Sequence, residues 1–70
     1  MKEYERLSQI RMERGYSVQD IAKVLGTTVT SVRRWESGKV KMRFSKYVIL
    51  AKLYHVSLDY LAGLTDNLEI

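Results

Sequence analysis

Apolar side chains return every three or four residues through most of this chain, and short Gly, Ser or Thr clusters interrupt the returns. From Lys2 to Arg14, Leu7 and Ile10 share one face with Tyr4 and Arg11 beside them, which predicts a first helix stopped by Gly15. Ser17 then precedes an apolar run from Val18 to Leu25, and Asp20 three residues on completes a capping box. Tyr16 and Ile21 flank that cap as a hydrophobic staple. Gly26 ends the second helix, and Thr28 caps a third from Val29 to about Glu36 that Gly38 stops in a left-handed conformation. Farther on, Phe44, Tyr47, Val48, Ala51 and Tyr54 recur as the inner face of a fourth helix. Ser57 caps a short fifth ending at Gly63. The expectation is five helices and no strand.

Composition narrows the class. Seventy residues make one small domain, and a chain of this size buries only about 60% of its unfolded surface, which leaves little room for an elaborate active site. There is no cysteine, so disulfides and thiolate metal ligands are excluded, and a cytoplasmic setting is expected. The longest apolar run, Tyr47 to Ala51, is too short to cross a bilayer, and nothing apolar follows the charged opening to act as a signal peptide. His55 is the only histidine and lacks convergent partners for a metal or for general-base work, so it reads as the turn that ends the fourth helix. No triad, carboxylate pair or phosphate loop is present. Neither enzymatic activity nor a metal or other cofactor is expected.

Charge says where a partner would sit. The net charge is +4, and Arg33, Arg34, Lys39, Lys41, Arg43 and Lys46 stand against Glu36 alone. That stretch therefore carries +5 and the rest of the chain −1. Such concentration indicates a surface facing a polyanion.

The third helix carries β-branched and hydroxyl residues followed by two arginines, a poor choice for helix stability. A tight turn between two helices makes them cross steeply, and requires a small residue on the first, a residue free to take positive φ in the turn, and an apolar residue on the second. Ala22, Gly26 and Val32 meet those needs. The outer face of the third helix is left free, with methyls and a hydroxyl near its start and guanidinium groups a turn later, groups suited to base edges and phosphates.

The segment SVQDIAKVLGTTVTSVRRWESGK, the Arg-x-x-x-Gly of Arg11 to Gly15 and the terminal VSLDYLAG resemble the Cro and repressor type of helix-turn-helix domain, the XRE family of phages and bacteria. The resemblance covers about Arg6 to Gly63. It implies an all-α, five-helix, lambda-repressor-like domain with the helix-turn-helix at helices 2 and 3, here one domain over residues 1–70 with the motif at about 17–37 and a tail at about 64–70. It further implies that helix 3 enters the major groove of double-stranded DNA, with a weak homodimer on a two-fold operator. Base contacts then fall on Val29, Thr30, Arg33 and Arg34. Phosphate contacts fall on the helix 2 N-terminus at Val18 and Gln19, on Thr28, and on Lys39, Lys41 and Arg43. Relatives commonly carry a phosphate-gripping glutamine where Val18 stands, so the Val18 backbone amide or Gln19 takes that role. Relatives also have proline and then serine where Met42 and Arg43 stand, which leaves Ser45 as an alternative cap for helix 4.

Trp35 shares its side of the helix with Val32 and is assigned to the core. Glu36 would be repelled by phosphates, and the family pattern pairs it with Arg11 as a structural, partly buried ion pair. Ile49 and Leu53 lie a turn apart off the main face of helix 4, either as a dimer contact or as a cover for the core beneath the tail. The function this implies is a sequence-specific transcriptional regulator, consisting of the binding domain alone and repressing by operator occupancy. The alternative is an antitoxin-like module that binds a partner protein with the same fold.

Overall fold

The computed structural model describes residues 2–67; Met1 and residues 68–70, the end of the expected tail, lie outside the described residues. Five helices follow one another: α1 (Glu3–Glu13), α2 (Val18–Leu25), α3 (Val29–Glu36), α4 (Phe44–Tyr54) and α5 (Leu58–Leu61). No strand occurs among the described residues.

Local chemistry sets most of these boundaries. Asp20 N donates to Ser17 Oγ at 3.0 Å, and Ser17 N donates to the Asp20 carboxylate at 2.9 Å, which closes the capping box of α2. The Ser17 backbone N–H, and after it the Ser17 hydroxyl, hold the Asp20 carboxyl below its ordinary range against a small burial penalty, with Lys23 adding to the effect. Gly26 ends α2 at φ 65°, a conformation that a Cβ would strain. Thr28 and Ser57 accept from the backbone three residues on and start α3 and α5. His55 ends α4 at φ 57°, the one non-glycine residue with positive φ among those described.

Packing follows from the short turns. α2 lies across α3, α1 packs on α3 and α5, and α4 packs on α5. Ile10, Ile21, Val32, Tyr54, Val56 and Leu61 are buried where these elements meet, and each large aliphatic among them contributes about 1.5 to 3 kcal/mol by leaving water. The loop before α4 adds Met42 to the core.

The inner face of α4 differs from the one expected. Leu50, Ala51 and Tyr54 are buried and Tyr47 packs beside them, whereas Phe44 is 70% exposed and Val48 only half-buried. Because α4 is apolar almost all round, the three-four spacing fits two stripes equally, and Phe44 at the first helical position stays mostly in solvent. Ser45 does not cap this helix. Arg43 occupies the N-cap position without a side-chain bond, and Ser45 lies inside the first turn.

Arg6 is a buried cation that the sequence did not single out. Its side chain, 3% exposed, donates to the Tyr60 and Thr65 carbonyls at 3.1 and 3.3 Å and to Asp66 Oδ1 at 2.9 Å. Its guanidinium also stacks 3.9 Å from the centre of the Tyr60 ring. These contacts tie the segment after α5 to α1.

Candidate nucleic-acid interface

The short turn holds α3 against α1 and α2 through Val32, which is buried with Ala22 and Leu25. Trp35 is half-buried against the same core. The opposite side of α3 is therefore outermost, and Thr30, Arg33 and Arg34 on it are exposed. Within the described residues, the guanidinium groups of Arg33 and Arg34 make no hydrogen bond or ion pair with the rest of the chain. Both are free to engage an external acceptor. Val29 differs from this group, since it is partly buried against the core and presents only part of its side chain.

Arg11 and Glu36 fix this helix to the body. Arg11 Nε donates to Glu36 Oε2 at 2.8 Å and Nη2 to Oε1 at 3.1 Å, while Nη1 donates to the Tyr16 carbonyl at 2.9 Å. Both side chains are 13% exposed. One guanidinium thus joins α1, the last turn of α3 and the segment leading into α2, a bidentate geometry that also fixes orientation.

The basic loop after α3 begins at Gly38, whose φ is 83°. Lys39, Lys41 and Arg43 are exposed around it with uncommitted charged groups among the described residues. Lys46 is engaged elsewhere. Its ammonium donates to the Leu25 carbonyl at 3.2 Å, at the C-terminal end of α2, where a cation complements the helix dipole. Its charge therefore steadies the motif from behind, a role that charge counting alone does not distinguish from a polyanion contact.

The other phosphate candidates are placed less evenly. The Val18 side chain is buried in the core, which leaves its backbone amide as the only group available for an anion. Gln19 is exposed, but the ionised Asp20 carboxylate lies next to it and opposes a second anion at the α2 N-terminus. Thr28 is exposed, and its hydroxyl accepts from Ser31 N and donates to Ser31 Oγ, both at 3.1 Å. A phosphate there would have to take over the donated proton. Ile49 is 40% exposed on α4, whereas Leu53 packs against the core, so the two do not form an evenly exposed pair.

Among the described residues, no group of acidic, histidine or cysteine side chains could hold a metal ion, and no helix is long and apolar enough to cross a membrane.

A family model for helix-turn-helix domains matches residues 7–61, most of the chain and all of the elements above from Leu7 to the end of α5. The chain belongs to the Cro and repressor type of helix-turn-helix family. Its similarity to two bacterial regulators agrees with that membership. An uncharacterised HTH-type transcriptional regulator of Bacillus subtilis strain 168, YobD, is 38% identical over 63 residues, covering 90% of this chain and 56% of that protein. The crystal structure of a transcriptional regulator from Listeria innocua superposes with a TM-score of 0.85 at 30% identity, over 94% of this chain and 62% of the other. The chain thus spans a little over half the length of these relatives. Within the family frame, Arg6 and Lys46 are the structural residues that sequence reasoning passed over. Their partners are mostly main-chain carbonyls on distant segments, which no side-chain pattern marks.

Proposed function

We propose that this helix-turn-helix chain is a sequence-specific binder of double-stranded DNA that reads the major groove with α3 and represses transcription by occupying an operator. The observation that carries the reading is the free outer face of α3, where Thr30, Arg33 and Arg34 stand exposed with uncommitted guanidiniums. Lys39, Lys41 and Arg43 extend the same charge beyond its C-terminal end. A guanidinium can donate two hydrogen bonds to guanine O6 and N7, which gives base discrimination of about 1 to 3 kcal/mol. The loop lysines meet phosphates and set position and affinity. Val29 and Thr30 complete the base contacts, with Val29 offering what its packing leaves free. Thr28 adds a phosphate contact when its hydroxyl turns from Ser31, and Gln19 and the Val18 amide contribute less because Asp20 stands beside them.

Two copies of the domain on a two-fold operator follow from the way such motifs dock, with half-sites about one helical turn apart. Ile49 is the exposed member of the α4 pair and therefore the side chain on which that contact is tested. Sedimentation in which Ile49→Lys leaves association unchanged, both free and on DNA, removes this face from the dimer.

Selection of bound sites from random duplex DNA tests the whole reading. A single enriched motif with two-fold symmetry is expected, and enrichment of no sequence would refute it. A protein-interaction role has one observation on its side. Phe44 and Leu64 stand 70% and 78% exposed beside an apolar groove of about 300 Å³ that also includes Tyr47 and Leu58. Co-purification of a second small protein at fixed stoichiometry, lost on Phe44→Lys, would favour that antitoxin-like role.

A further inference from the structure

The loop that carries Lys39 and Lys41 is held by very few contacts. Lys39, Val40 and Lys41 are all exposed, and the next buried side chain is Met42. On the helix side, the Gly38 amide donates to the Trp35 carbonyl at 3.3 Å, and the loop beyond it shares one acceptor. The Arg34 carbonyl receives Lys39 N at 3.1 Å, Val40 N at 3.4 Å and Ser37 Oγ at 3.1 Å. On the other side stands Tyr4, from the first turn of α1. A Cβ built on Gly38 would lie 2.8 Å from both Cδ1 and Cε1 of Tyr4 and 3.1 Å from Cζ, well inside contact distance. The flat face of the ring therefore abuts the backbone at the point where the loop leaves α3. Its φ of 83° favours glycine there, and any larger residue would also have to displace the ring.

We propose that Tyr4 is a positioning residue for DNA binding: its ring fixes the height of the Gly38 turn, and so the placement of Lys39 and Lys41 relative to the reading face of α3. This rests on the DNA-binding reading above and deepens it. Phosphate contacts set the register of a protein on the duplex, so a lysine that rides on a loosened loop meets its phosphate only part of the time. Tyr4 and Gly38 share a groove with Trp35, Val40 and Met42, and the three atoms nearest a Cβ at Gly38 all belong to the Tyr4 ring. Removing the ring takes away this support and leaves the loop held by the backbone hydrogen bonds to Arg34 and Trp35 and by buried Met42 at its far end.

The test is titration of the selected duplex and its single-base variants at several salt concentrations, well below the unfolding temperature of each protein. Tyr4→Ala is expected to weaken all sequences alike and to lower the salt-dependence slope by about one to two, the contribution of the two lysines. Tyr4→Phe, which keeps the ring and drops the hydroxyl, should restore the wild-type slope. Tyr4→Leu, apolar but without a flat face, goes through the same titration if the alanine variant does not fold, and should behave as alanine would. A folded Tyr4→Ala or Tyr4→Leu protein that keeps the wild-type slope overturns the proposal, as does one that changes the ranking of bases, because the ring would then act on α3 and not on the loop. Lys39→Ala separates the two levels. If it lowers the slope while Tyr4→Ala does not, positioning by Tyr4 is wrong and phosphate contact stands; if Lys39→Ala and Lys41→Ala both leave the slope unchanged, the phosphate reading itself fails.

Discussion

Replacing Arg11 with alanine should remove the polar tie between α1 and the last turn of α3. Three hydrogen bonds disappear, two to Glu36 and one to the Tyr16 carbonyl. The larger effect is on what remains, since Glu36 is left as a carboxylate only 13% exposed and without its partner. Breaking a buried pair from one side costs about 3 to 5 kcal/mol, and the remaining access to water places Arg11→Ala at the lower end, about 3 kcal/mol. A 70-residue chain has a total stability of only about 4 to 10 kcal/mol, so this variant should stand near the edge of folding. In urea, with a slope of about 1 kcal/mol per molar for so small a protein, the midpoint should fall by about 3 M. The double variant Arg11→Met with Glu36→Leu is the control. It removes the charge as well as its partner, and should return to within about 1 kcal/mol of the parent. A loss below about 1 kcal/mol for Arg11→Ala would refute the reasoning, because the pair would then behave as an exposed one.

Two smaller perturbations follow from backbone and titration. His55→Gly should stabilise the fold by about 1 kcal/mol in denaturant unfolding, because it relieves a left-handed residue that carries a Cβ; a loss of stability would show that the imidazole makes up for the strain. Burial pushes the Tyr54 hydroxyl above its usual range, with the Glu36 carboxylate adding to the effect and Arg11 opposing it. The folded state then keeps a proton that the unfolded chain releases, so this contribution is fully present below about pH 10 and is lost as pH rises beyond it. Thermal unfolding from pH 9 to 11 should show a decline that is shallower in Tyr54→Phe.

The parts of the fold that local chemistry determines were legible in the sequence. Ser17 with Asp20, Thr28, Ser57 and the glycines at 26 and 38 act within one turn of their own position, and the starts of α2, α3 and α5 follow from them. The inner face of α4 was not legible, because Leu50 and Phe44 are equally apolar and only the packing of α5 and Met42 distinguishes them. Arg6 and Lys46 were missed for a related reason. Most of their acceptors are the Tyr60, Thr65 and Leu25 carbonyls, which every residue has, and the one carboxylate among them, Asp66, lies sixty residues from Arg6. In the candidate interface, the exposure of Thr30, Arg33 and Arg34 could be read from helical periodicity, whereas the partial burial of Val29 and the contact of Tyr4 with Gly38 depend on how closely α1 and α3 approach.

The most direct test of a DNA-reading α3 separates its arginine from the lysines beyond it. Binding of Arg34→Ala and Lys39→Ala to the selected duplex and to every single-base variant, at several salt concentrations, gives both a ranking of sites and a salt slope. Arg34→Ala should flatten the ranking at one position by about 1 to 3 kcal/mol, while Lys39→Ala should keep the ranking and lower the slope by about one. If Arg34→Ala weakens every sequence equally and the ranking survives intact, Arg34 is a phosphate contact and the claim that its guanidinium reads a base is contradicted.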